Sequence, residues 1–128
     1  MLKPGGVIFY NATYSGSAQR TGAVRFPYAY RFGLFMAVSD SPILVDKERW
    51  RNALLQYQLE GKPILDPTSA EDRKILARVL GIVDTLPGDR YAIEGMETRE
   101  NILRRTAGRR IVTDDNMATE WGDYDWRN

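Results

Sequence analysis

At 128 residues the chain has material for one modest hydrophobic core and not for two independent ones. Its composition, 43% hydrophobic and 27% charged, excludes a disordered chain, and 18 basic against 17 acidic residues leave a charge of +1, too small for a whole-molecule field that would draw it to nucleic acid or an acidic membrane. With neither Cys nor His, disulfides, thiol nucleophiles, His-based triads and thiolate or imidazole zinc sites are ruled out, so any chemistry falls to carboxylates, hydroxyls, Lys, Tyr or backbone groups.

The chain opens on a tight turn, Pro4-Gly5-Gly6, that feeds a nearly unbroken apolar run from Val7 to Tyr10. A run of this kind is the mark of a strand covered on both faces. Nothing before it has the basic region and long apolar stretch of a signal peptide, and no apolar run approaches the roughly 20 residues of a membrane span. The chain therefore reads as cytosolic, in keeping with zero Cys. Asn11-Ala12-Thr13 spells a glycosylation acceptor, read as a chance tripeptide in that compartment.

Residues 15–25 are polar and Gly-spaced, a loop or short helix. From Tyr28 to Asp40 the alternation of Tyr28, Tyr30, Phe32, Leu34, Met36 and Val38 with Ala29, Phe35 and Ala37 predicts one long strand, buried mainly on one side and substantially on both. Gly33 in its middle suggests a bulge or a close backbone approach. Asp46 predicts a helix cap before Trp50, Ala53, Leu54 and Tyr57, one clean stripe that Gly61 ends. Thr68 and Glu71 form a capping box before a second helix with Ile75, Leu76, Val79, Leu80 and Val83 on one face. Leu86-Pro87-Gly88-Asp89 is a turn. A third helix from about Thr98 carries Ile102 and Leu103 inward and stops at Gly108, and the last residues, from Trp121, form a tail.

This is an α+β chain with a two-stranded antiparallel pair in residues 1–45, about three helices in 46–110 and a turn and tail in 111–128, all one domain. Two strands that want both faces covered leave an unpaired edge on each side. The pattern therefore demands strands from elsewhere: a second copy, giving a homodimer whose contact includes Val7, Phe9, Tyr30, Phe32 or Phe35, or a partner chain.

The residues Leu2-Lys3-Pro4-Gly5-Gly6-Val7-Ile8 resemble the L-K-P-G-G element that precedes the penultimate strand of the seven-stranded sheet in Rossmann-like S-adenosylmethionine-dependent methyltransferases. The aromatic stretch from Phe26 to Pro42, and Thr113-Asp114-Asp115-Asn116 followed by Glu120, resemble the end of the spermidine synthase-like branch. The resemblance covers nearly the whole chain but only the C-terminal part of the family's domain. It implies a two-stranded remnant of a Rossmann-like sheet. It also implies that a full member moves an aminopropyl or methyl group from S-adenosylmethionine or its decarboxylated form. The family grips that cofactor with a Gly-rich loop and a ribose-binding carboxylate. No G-x-G occurs in this sequence, so the chain alone is expected to hold no cofactor and to be inactive.

Among polar groups, Thr113-Asp114-Asp115-Asn116 is the densest cluster. Two adjacent carboxylates can hold an ammonium or a divalent cation, but Asp and Asn also cap turns, and the capping reading carries more weight. Asn11, Thr13 and Tyr14 follow the first strand, where open α/β sheets place ligands. Ser39 and Asp40, closing the antiparallel second strand, fall at the opposite end and belong to a turn. Arg99, Arg104, Arg105, Arg109 and Arg110 invite a phosphate or RNA reading, but interspersed acids and the lack of interleaved aromatic residues favour a solvated helix face with local ion pairs and no nucleic acid. Trp121 and Trp126 suggest a docking handle.

Overall fold

A computed structural model describes residues 2–84 and 95–116. The predicted turn at Pro4-Gly5 closes with a hydrogen bond from Gly6 N to Lys3 O of 2.8 Å, and Gly5 supplies the positive φ of 75° that such a turn requires. Strand β1, Ile8–Asn11, follows and leads through a short loop into helix α1, Gly16–Arg25. Strands β2, Tyr28–Phe32, and β3, Phe35–Ser39, come next. Helix α2, Lys47–Gln56, the two-residue strands β4, Gln58–Leu59, and β5, Lys62–Pro63, and helix α3, Ala70–Gly81, form an arm that ends in a 3-10 turn at Ile82–Asp84. Strand β6, Met96–Thr98, passes directly into helix α4, Arg99–Arg105.

Four strands form one sheet in the order β1-β3-β2-β6, and every neighbouring pair is antiparallel. The α+β class holds, while among the described residues the expected two strands become six, four of them in this sheet, and the expected three helices become four. The stretch from Tyr28 to Asp40 is a hairpin and not one long strand. Phe32 pairs with Phe35 across a two-residue turn, and Gly33, at φ 57°, takes the first turn position, where hairpins favour Gly. The turn switches parity: Ala29 and Arg31 share a face with Met36 and Val38, whereas Tyr30 and Phe32 share the other with Phe35 and Ala37. What reads in sequence as burial on both sides is one covered face whose parity changes at Gly33.

Helices α1 and α4 cover that face. The core holds Ala12, Ala23, Ala29, Met36, Val38 and Ile102, with Tyr10, Ala18, Phe26 and Leu103 packed against it. Helix α1 starts at Ser15, whose hydroxyl accepts from Ala18 N at 3.0 Å. The two helices cap one another. Arg99 Nε donates to Ala23 O and Phe26 O at the end of α1, and Arg20 Nη1 donates to Leu103 O and Thr106 O at the end of α4. Cations at helix C-termini satisfy free carbonyls and complement the helix dipole.

The caps of the arm differ in detail from the sequence expectation. Asp46 caps α2 as expected, by accepting from Arg49 N. The α2 helix ends at Gln56, and Gly61 lies instead in the β4–β5 turn, where Glu60 and Gly61 both take positive φ. Ser69, not Thr68, caps α3 by accepting from Asp72 N, and no reciprocal box forms, because the Asp72 carboxylate accepts from Asp66 N while Ser69 N donates to Asp66 O. Thr68 N and Oγ1 both donate to Asp66, and these bonds hold that carboxyl below its ordinary value. The arm meets the sheet through Trp50 against Phe32, ring centroids 5.9 Å apart. A Lys47–Asp84 ion pair ties its two helices. The expected turn at Leu86–Asp89 lies outside the described residues.

Helix α1 lies close to the sheet because its inward positions are small. The Tyr10 hydroxyl donates to Ala18 O at 3.0 Å and lies against Gly22, where an added Cβ would collide with that oxygen and crowd Val38. Burial pushes the Tyr10 phenol up to about 12, partly offset by the backbone at Gly22. We expect Gly22→Ala to cost about 1–2 kcal/mol in urea unfolding, overpacking outweighing a helix-propensity gain of about 1 kcal/mol. In a Tyr10→Phe background the same substitution should cost less, and an equal cost in both backgrounds would show that the hydroxyl is not the obstacle.

Candidate functional site

The charged groups of the covered face form one connected network. Arg31 faces inward because it shares parity with Ala29, and β6 pairs with β2 in the register Arg31 to Glu97. Both are buried, at 2% and 0% side-chain exposure. Glu97 Oε2 accepts from Arg31 Nε at 2.5 Å and from Arg105 Nη2 at 2.9 Å, while Oε1 accepts from Arg105 Nε at 2.9 Å and Asn101 Nδ2 at 2.7 Å. From this centre the network runs both ways. Arg31 Nη1 donates to Gly33 O at 2.8 Å in the hairpin turn. Arg105 Nη2 donates to Gln19 Oε1 at 2.6 Å, and Gln19 Nε2 reaches Thr13 O at 3.3 Å in the loop after β1.

Burial raises the Glu97 carboxyl, but hydrogen bonds and charge from Arg105 and Arg31 outweigh it and hold the group below its ordinary value. A fully buried carboxylate, ionised and accepting four hydrogen bonds, is a brace and a poor proton donor or acceptor. Arg99 and Arg105 therefore do not belong to a solvated face as the sequence suggests: one caps α1 and the other is half of the brace.

The loop from Asn11 to Tyr14 sits where β1 ends and α1 begins. Asn11 Oδ1 accepts from Thr13 N at 2.8 Å, Thr13 Oγ1 donates to Ala12 O at 2.8 Å, and Thr13 takes a positive φ of 45°. These side chains shape the chain reversal. Tyr14 is exposed. Ser39 lies at the other end of the sheet, as expected. Its hydroxyl donates to Gly6 O at 2.6 Å and accepts from Ser41 N, which holds the Pro4-Gly5 turn against β3.

Asp114 and Asp115 are exposed, and the turn they occupy is closed by Asn116. Asn116 Oδ1 accepts from Thr113 N at 2.7 Å and its Nδ2 donates to Ile111 O at 2.8 Å. The segment is pinned to α1 by Val112 N donating to Thr21 Oγ1, with Arg109 packed over Gly16. Among the described residues no three His, Cys, Asp or Glu side chains converge, and no third described acid stands beside the pair. Glu120, Trp121 and Trp126 lie outside the described residues. A shallow groove of about 450 Å³ along α2, lined by Asp46, Glu48, Arg49, Asn52, Ala53 and Gln56, carries mixed charge.

Sequence order does not single out Arg31 or Gln19, and it presents Glu97 as one of the acids interspersed among the arginines. The signal it held was Arg31, a lone charge inside an aromatic run, which calls for a buried partner. Compared with known families, curated proteins and solved structures, the chain gives no match.

Two predictions follow from this geometry. Glu97→Gln leaves two guanidinium groups without their carboxylate and should cost about 3–5 kcal/mol. Because the folded-state value of Glu97 is depressed, its contribution is present above the ordinary carboxylate value and lost as pH falls through the folded one. Urea titrations across acid pH should thus show a steeper acid limb for the native chain than for the variant. In the Thr113–Asn116 turn, Asn116→Ala should cost about 1 kcal/mol and Asp114→Ala or Asp115→Ala under about 0.5 kcal/mol. A larger loss at either Asp, read in thermal melts, would return the capping role to the carboxylates.

Proposed function

We propose that the chain is the C-terminal, sheet-closing portion of a spermidine synthase-like domain, and that by itself it is not a catalyst. The observation that carries this reading is the direction of two strands. β1 and β2 both run antiparallel to β3 between them, so they are parallel to one another. Helix α1 makes the connection between them. A strand, a helix and a parallel strand in one sheet is the unit from which Rossmann-like sheets are built. It comes directly after the Leu2-Lys3-Pro4-Gly5-Gly6 turn on which the resemblance rests.

In a full member, chemistry would be transfer of an aminopropyl or methyl group from an adenosyl sulfonium to a nucleophile, with donor and acceptor held in line and away from water. The role of this portion is to extend the sheet and brace it through Glu97. Strands added at β1 would carry the donor site. The engaged state of Arg20, Arg99 and Arg105 leaves fewer cations for a phosphate backbone, which favours a protein partner over nucleic acid. No helix among the described residues is long and apolar enough to cross a membrane, and we assign the portion to the cytosol.

A second reading, an interaction module that pairs with a copy of itself or with a partner subunit, is favoured by the exposed apolar residues Val7, Ile8 and Phe9 on the outer strand. Both readings make β1 the surface of assembly. Calorimetric titration of the purified chain with S-adenosylmethionine and with its decarboxylated form tests the first. No saturable heat is expected at micromolar ligand, since that affinity needs about 8 kcal/mol of binding free energy. Saturable binding by the chain alone would overturn the reading.

A further inference from the structure

Among the described residues no strand pairs with the outer edge of β1. Ala12 N donates to Leu34 O at 2.9 Å, and in the β1–β3 register Tyr10 lies opposite Met36 and Ile8 opposite Val38. In an antiparallel ladder the residues that exchange bonds with a neighbour alternate with those that do not. Ile8, Tyr10 and Ala12 therefore turn their backbone groups toward β3. Val7, Phe9 and Asn11 turn theirs outward.

Native sheets guard such an edge with Lys, Pro, an inward charge, a bulge or a very short strand. The stretch Val7-Ile8-Phe9-Tyr10-Asn11 contains no charge and no Pro. Its side chains are as unguarded as its backbone: Val7, Ile8 and Phe9 are 48, 38 and 61% exposed, and the Phe9 ring lies flat on Phe35, centroids 5.2 Å apart and planes 7° from parallel, with Phe35 itself exposed.

We propose that a second copy of this chain occupies the edge, its β1 added antiparallel about a two-fold axis with Phe9 opposite Phe9 of the second copy. This inference rests on the second of the two readings, the interaction module, and fixes its partner and register. Of the two-fold registers open to the strand, the Phe9-centred one is the single register that pairs all three outward residues. It sets Val7 opposite Asn11 of the second copy and Phe9 opposite itself. The pairing brings no like charges together, because the strand has none. Opposed residues on one face lie about 5 Å apart at Cβ, so the Phe35–Phe9 stack continues into its mate and the sheet runs unbroken through eight strands.

The area fits a weak, reversible dimer. Val7, Ile8 and Phe9 together expose roughly 200–350 Å² per copy, taking large side chains at about 150–250 Å² each, while Phe35 stays open on the face of β3. Doubled, and with the paired backbone added, this comes to at most about 800 Å², the range of transient contacts. Closed two-fold symmetry also ends growth at two, because the one unguarded edge of the four-stranded sheet among the described residues is consumed.

The chain has no Cys, so a single introduced Cys reports self-contact without background. In the Phe9-centred register Phe9→Cys sets two Cα atoms about 5.5 Å apart, within disulfide range. Asn11→Cys sets them about 14 Å apart, outside it. Under mild oxidation at micromolar chain we expect covalent dimer from Phe9→Cys and at least tenfold less from Asn11→Cys. Sedimentation should show the native chain at twice its monomer mass. Phe9→Lys should shift it to monomer with its thermal unfolding largely retained, whereas Leu44→Lys, at an exposed position away from the edge, should leave the dimer in place. A dimer that survives Phe9→Lys, or that crosslinks through Asn11→Cys in preference to Phe9→Cys, would overturn the proposed register. A native chain that sediments as a monomer would overturn self-pairing and leave the edge to a different chain. The dimer takes the edge that the spermidine synthase-like reading gives to further strands of its own domain, and that reading has its own test in the cofactor titration.

Discussion

The carboxylate of Glu97 is the point on which the described structure closes. It lies on a three-residue strand, and it joins β2 to residues 66 positions further along the chain. Arg31 is turned inward by the strand alternation that also buries Ala29, so a guanidinium enters the covered face before any partner is present. The desolvation of that charge is offset only if a carboxylate arrives with good geometry and its remaining lone pairs are satisfied. Pairing β6 at the Arg31–Glu97 register supplies the carboxylate. The helix that follows at once then returns Arg105 and Asn101 to it. A slip of one residue in β6 would send Glu97 to the opposite face and leave Arg31 buried with its charge uncompensated. The network thus fixes register as much as it adds stability, and it sets where α4 begins.

From that constraint the asymmetry of the two faces follows. With Glu97 and Arg31 beneath it, α4 must lie on the covered face, and its antiparallel neighbour α1 is held there by the exchange of Arg99 and Arg20 between helix ends. Helix α1 approaches closely through Gly22 and Ala23. Among the described residues the opposite face receives Trp50 from the arm, and Phe9 and Phe35 stack on it in the open. A sheet apolar on both sides is ordinarily a middle layer, with helices above and below. The uncovered aromatic face is consistent with a portion that completes a larger sheet, the reading drawn from its strand directions.

Much of this was legible in residue order, and the failures have physical causes. Helices α2, α3 and α4 announce themselves through caps and an apolar stripe, even though Ser69 displaces Thr68 as the cap by one position. Helix α1 does not, because its inward face is built from Ser, Gly and Ala and shows no large apolar period. The hairpin was hidden by its own turn. Gly33-Leu34 is short and flanked by aromatic residues, so the alternation seems to run on from Tyr28 to Val38 while in fact it changes face. The brace was hidden for a different reason. Glu97 and Arg105 stand among other charges in sequence, and only the pairing of β6 with β2 separates a buried ion from a solvated one. Asn11 and Thr13 were visible as polar residues at a strand end, but their hydrogen bonds shape the loop, and Asn116 closes the turn in which Asp114 and Asp115 are exposed.

The two edges of the four-stranded sheet carry the argument one step further. At one edge lies β6, three residues long, with the charge of Glu97 pointing inward and a helix starting at its last residue. Short length and an inward charge are both devices that stop a sheet from recruiting more strands. At the other edge lies β1, with an uncharged run from Val7 to Asn11 and its apolar side chains in solvent. Solubility alone would favour guarding both edges, since an open apolar edge is a route to aggregation. Among the described residues one edge is finished by a buried ion network and the other is bare, and the proposed pairing through β1 rests on that asymmetry.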